Sequence, residues 1–379
     1  MDRRENAGWR IWFRCSKAAE YAASGRVVNM KIMRLFAAFA ALGMVAGAGG
    51  QTAAAGGQTT ARPQLAILDT DIGDDIDDAF ALALALRSPE FYLLGITTTY
   101  GDTDLRMKLV DRFLGEQCIL GLPVVPGKPT DHQNVMTQSA YARSFNLPGC
   151  AGSFNLMALM GKNGAALERE QKEHDAAGFL IRQISMYPGE ITLICIGPLT
   201  NVQAAIERDP ATFRKLKRVV IMGGSIYRGY DDWKTGTRQP PSSEWNVRCD
   251  PAGLRALLAV GVPVFMMPLD STQIRLETKE REAIFSHGSP LTDQLTLLYH
   301  QWLGGNPDHA LAPTLFDPIA VTYAIRPDLC PTTPIRLEVD DKGFTRPVDG
   351  APNVQVCLKS DEKGFLELLV GRITTDPGH

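Results

Sequence analysis

The chain has no surplus of positive charge. Its 39 lysines and arginines face 42 aspartates and glutamates, a net charge of −3, which excludes the basic footprint of a nucleic-acid binder. It has no C-x-x-C pair and no Cys/His spacing suited to zinc. The apolar stretch at residues 35–45 (LFAAFAALGMV) is too short to cross a bilayer, so no stable membrane anchor is expected. Aromatic content is ordinary, and nothing beyond the first sixty residues has the composition of a disordered chain. What remains is 379 residues with 45% hydrophobic content, enough for one α/β-sized domain of about 250–300 residues plus extras.

Residues 1–64 read as a targeting segment. Met30-Lys31-Ile32-Met33-Arg34 is a short basic start, residues 35–45 an apolar core, and Ala46-Gly47-Ala48 or Ala53-Ala54-Ala55 a small-residue cleavage site. This tripartite order predicts export, to the periplasm or beyond, with translation starting at Met30 or Met33. The scattered arginines of residues 3–26 leave a transit peptide as the competing reading. Export would remove Cys15 and permit disulfides among the remaining cysteines, with Cys330–Cys357 and Cys118–Cys150 as conceivable pairs. Cys195, inside an apolar run, reads as an inert buried thiol.

Residues 65–87 (LAILDTDIGDDIDDAFALALALR) organise the rest. A buried-strand run, residues 65–68, ends in Asp69, Asp71, Asp74, Asp75, Asp77 and Asp78, and a segment of helix-forming composition follows. A helix N-terminus attracts one or two aspartates, not six. Like charges this crowded need a neutralising partner, and a hard divalent cation prefers such oxygen ligands. Calcium is favoured over magnesium if several carboxylates bind directly, because magnesium keeps more of its water. No glutamate stands in register for an EF-hand loop.

This stretch resembles the nucleoside hydrolase family, whose signature is D-T-D-x-G-x-D-D-A. Asp69-Thr70-Asp71-Ile72-Gly73 fits its first half and Asp77-Asp78-Ala79 its second, with two extra residues between. Asp74-Asp75 could replace the later pair in part, but the ungapped match into the helix favours Asp77-Asp78. Further pieces follow in the family's order: Gly197-Pro198-Leu199-Thr200-Asn201 after an apolar strand, Met222-Gly223-Gly224 after another, Glu244-Trp245-Asn246 with Asp250-Pro251, and Asp317-Pro318-Ile319-Ala320. The resemblance implies an open, mainly parallel β-sheet flanked by helices over residues 65–379, and a homo-oligomer. It implies calcium ligands at Asp71, Asp78, the Ile196 carbonyl and Asp317, and substrate contacts at Asp77, Met222, Glu244 and Asn246.

Alternating strands and helices support the parallel sheet independently. Asp102 follows the strand at residues 91–99 directly, so it either faces the site or caps the next helix. Thr200 or Asn201 can cap the helix after the Gly-Pro turn, and Asp270 either caps the helix after residues 261–269, the favoured role, or supports the site from behind its lining. Residues 128–164 lack periodicity and read as a binding loop, where His132 looks like a surface residue. Glu244 and Asn246, two apart, would share one face of an extended backbone with Trp245 on the other. A C-terminal hairpin and helix complete the chain.

Two departures stand out against the resemblance. Phe316 replaces a histidine that in some family members protonates the leaving base, and the loop after Met222 lacks a sugar-holding Gly-Asn. The expected chemistry is hydrolysis of a ribonucleoside's N-glycosidic bond. Asp71 would serve as base toward water, and Trp245, Trp233, Trp302 or Tyr230 would face the nucleobase. His309 is a possible acid, and Asp75 an additional site residue. The departures also motivate an exported nucleoside- or pentose-binding protein without turnover. Asp69-Thr70-Asp71 alone would fit a haloacid dehalogenase-type phosphatase, which would need magnesium and a downstream lysine.

Overall fold

The computed structural model describes residues 62–119, 121–131, 136–143, 162–232, 234–306 and 311–375. The expected targeting segment, apart from residues 62–64, lies outside them, as do Cys150, His132, Trp233 and His309. Six parallel strands run in the order β3-β2-β1-β4-β5-β6: Gln64–Thr70 (β1), Phe91–Thr98 (β2), Val124–Pro126 (β3), Thr192–Cys195 (β4), Arg218–Met222 (β5) and Val264–Met267 (β6). Chain order reverses between β1 and β4. In open α/β sheets that reversal opens a crevice at the strands' C-terminal ends.

The reasons lie in the residues. Ala66, Ile67 and Leu68 are fully buried, as a central parallel strand with both faces covered requires. Alternation sends Ala66 and Leu68 into one core, with Phe80, Phe113 and Leu298, and Ile67 into the other, with Phe179 and Leu254. The helix Asp77–Leu86 (α1) is buried from Asp77 to Ala85, the expected fate of a segment apolar all round. Its only charges stand in its first turn, where β1 delivers them to the crevice.

The expected C-terminal hairpin and helix are present, the helix spanning Glu362–Ile373. Thr332–Ile335 (β7) pairs antiparallel with Val354–Cys357 (β10), and β10 joins β6 in parallel, so the hairpin lengthens the main sheet to eight strands. Leu337–Val339 (β8) and Thr345–Pro347 (β9) form a two-stranded sheet. Cys330 and Cys357 are joined by a disulfide across 27 residues, both buried; the other conceivable pair, Cys118–Cys150, includes a residue outside the described ones. Closing a loop of this length is worth about 3 kcal/mol. Cys330→Ser is expected to lower the unfolding free energy by roughly that amount, read as a lower denaturant midpoint at constant slope. An unchanged midpoint, with free thiols by mass spectrometry in the parent protein, would refute the bond.

Candidate active site

A cavity of about 550 Å³ opens at the β1/β4 reversal. Its floor is acidic: Asp71, Asp74, Asp75, Asp77, Asp78, Glu244 and Asp317 line it, with no lysine, arginine or histidine among the described lining residues. Asp77, Asp78 and Asp317 each offer a carboxylate oxygen within 4.8 Å of the others, and all three are buried. Burial, then repulsion between neighbouring carboxylates, pushes each well above the usual carboxylate range. Such crowding of hard, buried oxygen donors fits a divalent cation.

The loop between β1 and α1 is held from beneath by Arg106, on the helix Thr103–Gly115 (α2). Its guanidinium donates to the carbonyls of Asp71, Ile72 (3.0 Å) and Tyr100 (2.8 Å) and pairs with Asp74 at 2.8 Å. Sequence reasoning missed this residue. The signal was present: Arg106 sits at a core position of α2, in the i, i+3, i+4, i+7 series with Leu109, Val110 and Phe113. Arg106→Met is expected to destabilise by about 3–5 kcal/mol, because it removes the cation from the half-buried Asp74 and the buried Asp71 and orphans three carbonyls. A thermal shift under 2 °C would contradict that.

Asp71 is buried, and burial lifts its carboxyl to about 7, against the opposing pull of Arg106. Gly197 lets β4 approach it, since a Cβ there would lie 2.7 Å from Asp71 Oδ1. Asp78 accepts from the Thr70 hydroxyl at 2.5 Å. Asp77 accepts the backbone N–H groups of Phe316 and Asp317, both at 3.1 Å, which ties the start of the helix Pro318–Ile325 (α3) to the aspartate loop. Behind the cavity, Asp69 accepts from Thr97 at 2.5 Å and Asn201 at 2.7 Å, and burial raises its carboxyl to about 7.

The opposite wall corrects an expectation. Residues Trp245–Cys249 form a short helix, not a strand, and Glu244 is its N-cap. Glu244 accepts from the N–H groups of Asn246 (2.9 Å), Val247 (3.1 Å) and Gly224 (3.0 Å). Coiling the backbone brings Glu244, Trp245 and Asn246 all to the cavity instead of parting Trp245 from the others. Asn246 Nδ2 donates to the carbonyls of Ile196 and Met222, both at 3.2 Å. Each carbonyl oxygen keeps a second lone pair free for another partner.

Other expectations also change. Asp102 is exposed and caps α2 through the Leu105 N–H, so it is outside the cavity. Asn201 holds Asp69 and the Thr98 carbonyl instead of capping a helix, and Thr200 is no cap either. Asp270 accepts from Ile226 and Tyr227, bracing the loop after β5. Asp75 does line the cavity. So does Thr137, which sequence reading did not single out within the long loop. Tyr230, Trp302 and Phe316 supply an aromatic side; Tyr230 meets Phe316 edge-on, with centroids 5.9 Å apart.

This floor of aspartates at a sheet's switch point, facing Glu244 and Asn246, can be set beside known proteins. A sequence profile described as inosine-uridine preferring nucleoside hydrolase matches residues 66–367. The chain belongs to that family. The membership brings the activity class, hydrolysis of an N-glycosidic bond. Among this nucleoside hydrolase's relatives, a pyrimidine-specific ribonucleoside hydrolase of Escherichia coli is 30% identical over 72% of this chain and 82% of its own. Uridine nucleosidase 1 of Arabidopsis thaliana is 28% identical over 81% and 92%. A solved purine-preferring ribonucleoside hydrolase from Gardnerella vaginalis superposes with a TM-score of 0.65 at 26% identity, covering 82% of this chain and 98% of that one.

Proposed function

We propose that this nucleoside hydrolase cleaves ribonucleosides to free base and ribose, in a calcium-dependent manner, as an exported homo-oligomer. The observation that carries the reading is the buried trio Asp77, Asp78 and Asp317 beside Asp71 in a cavity with an aromatic side. Asp77, Asp78 and Asp317 would hold the ion, with Asp71 and the Ile196 carbonyl on the same cavity wall. A bound divalent cation would supply neutralising charge and polarise oxygens near it. The export reading draws support from the buried Cys330–Cys357 disulfide, a bond that persists in oxidising compartments.

The chain's own groups carry the chemistry. Asp71 accepts a proton from water as its oxygen attacks C1′; the C1′–N bond breaks and the base leaves with the electron pair. Positive charge developing on the sugar is met by carboxylates already fixed in place around the cavity. Glu244 and Asn246 are locked by backbone contacts, so they hold sugar hydroxyls without reorganising. Tyr230, Trp245, Trp302 and Phe316 receive the base.

No histidine lines the cavity among the described residues, which keeps the nucleoside-binding alternative worth testing. The phosphatase alternative needs a lysine at the site, and none lines it there. The deciding experiment incubates the calcium-loaded protein with inosine, adenosine, uridine and cytidine and measures free base and ribose in equal amounts. Tight binding with no ribose from any of the four would overturn the hydrolase in favour of the binder.

A further inference from the structure

The small sheet β8–β9 grips both ends of the loop that carries Tyr230 and leads to Glu244. At the start of the loop, the Thr345 hydroxyl accepts the N–H of Ser225 at 2.9 Å and donates to the carbonyl of the same residue at 3.0 Å. At its end, the Ser243 hydroxyl donates to the Lys342 carbonyl, in the turn between β8 and β9. Gly343, in that turn, lies against the helix Trp245–Cys249, and a Cβ on it would come within 2.5 Å of Arg248 Cα. Thr345 and Ser225 are both buried, so water cannot readily replace either bond.

The hairpin is firm enough to act as a clamp. Asp340 accepts the N–H groups of Lys342 at 2.9 Å and Phe344 at 3.0 Å and pairs with Arg346, which closes the turn. Leu337 is buried in the same core as Leu254 and Val247. The base of the loop is drawn shut as well: the Ser225 hydroxyl donates to Arg228 O at 2.8 Å and accepts the Ser242 N–H at 2.9 Å.

What the clamp controls is the direction of one carboxylate. Of the three backbone N–H groups that Glu244 accepts, those of Asn246 and Val247 belong to the helix it caps and would travel with it. The third, from Gly224 at 3.0 Å, comes from just past the end of β5 and ties the carboxylate to the sheet. Gly224 precedes Ser225, the residue that Thr345 holds by both its N–H and its carbonyl. Tyr230, inside the clamped loop, brings its hydroxyl within 3.4 Å of the other Glu244 oxygen.

We propose that Thr345 is a positioning residue of the sugar site: through Ser225 and Gly224 it holds the Glu244 carboxylate in the direction that meets a ribose hydroxyl. The step rests on the hydrolase reading, in which Glu244 grips the sugar. Thr345 itself does not line the cavity. Its effect is on precision, since a misplacement of about 1 Å at a group that holds substrate costs a large share of the rate. The C-terminal hairpin thereby belongs to the site without touching it.

The test is a double-mutant cycle on the calcium-loaded enzyme, timed by free base released from the nucleoside it turns over fastest. Thr345→Val keeps the shape and removes the hydroxyl, and it is expected to lower kcat/KM about tenfold or more. Thr345→Ser keeps the hydroxyl and is expected to stay within about threefold of wild type. Glu244→Ser keeps a helix cap but withdraws the carboxylate from the sugar. In that background Thr345→Val is expected to cost less than about threefold. A structural role alone would cost the same in both backgrounds, and that result overturns the proposal, as does near wild-type kcat/KM for Thr345→Val. Should Thr345→Val not fold, Ser243→Ala releases the other end of the clamp and enters the same cycle. If Glu244→Ser turns over too slowly to time, calorimetric titration with ribose reads the cycle as dissociation constants, with the same two outcomes. No base released from any nucleoside by the wild type overturns the hydrolase reading, while the ribose cycle still decides the clamp on its own.

Discussion

Asp71→Asn is expected to lower kcat by about 10³-fold or more, within the upper range for removal of a general base, while the protein folds and still binds nucleoside. The two halves of that result have separate causes. Turnover falls because an amide cannot accept the proton of the attacking water. Folding survives because it is the backbone carbonyl of Asp71, not its side chain, that anchors Arg106. Asn is nearly isosteric, so the close approach of Gly197 is kept.

Stability should move in the opposite direction to activity. In the metal-free protein, burial raises the Asp71 carboxyl from 3.8 to about 7, so its ionised form is disfavoured in the folded state. Above that pH, removing the charge relieves a penalty on the order of a few kcal/mol. Chelated Asp71→Asn is therefore expected to melt at or above the chelated wild type at pH 8. Base-release kinetics and melting curves check both halves. A variant with near wild-type kcat would remove Asp71 from the role of base. One that is inactive because it is unfolded would show that the side chain is structural.

Much of this site could be read along the chain because its chemistry is concentrated in a short stretch. The strand at residues 65–68, the six aspartates and the helix after them predicted both the sheet edge and the acidic floor, and the later pair Asp77-Asp78 is the one that meets Asp317. Period and composition were weaker where local and tertiary demands compete. Two-residue spacing suggested that Glu244 and Asn246 share one face of a strand, but a carboxylate that can accept three backbone N–H groups caps a helix instead. Asp102 had two plausible roles, and the nearby unpaired N–H of Leu105 decided between them.

Arg106 shows a different limit. Its place among the apolar positions of α2 marks a buried cation, but its partners are main-chain carbonyls of the aspartate loop, whose need for a donor leaves no trace in the sequence. The same holds for Asn201, whose amide reaches Asp69 across 132 positions of chain. Residues that line a site announce themselves by chemical type, whereas those that brace it do so only once the strands are in register. The disulfide lay between these cases, since spacing allowed two pairings and the β10 end placed Cys357 beside Cys330.

Exhaustive chelation is expected to abolish hydrolysis, calcium to restore it, and the melting gap between loaded and chelated protein to widen as pH rises from 5 to 8. In the chelated protein Asp69 and Asp71 titrate near 7, and Asp77, Asp78 and Asp317 are also raised, all chiefly by burial. Unfolded, each would titrate near 3.8. Between those values the folded chain binds more protons than the unfolded one, so the stability of the chelated protein falls with rising pH across about 4 to 7. A cation competes with those same protons, so its hold strengthens over the same interval. At pH 5 the carboxyls keep their protons, and the two forms should melt within a few degrees of each other. At pH 8 the chelated form must bury unneutralised charge, and a difference of about 3–4 kcal/mol corresponds to roughly 5–10 °C. Superimposable melts at every pH, together with activity that survives chelation, would mean that the trio is no cation site. The crowding of Asp77, Asp78 and Asp317 would then be relieved by protons alone, and a protonated trio could not balance the positive charge that develops on the sugar.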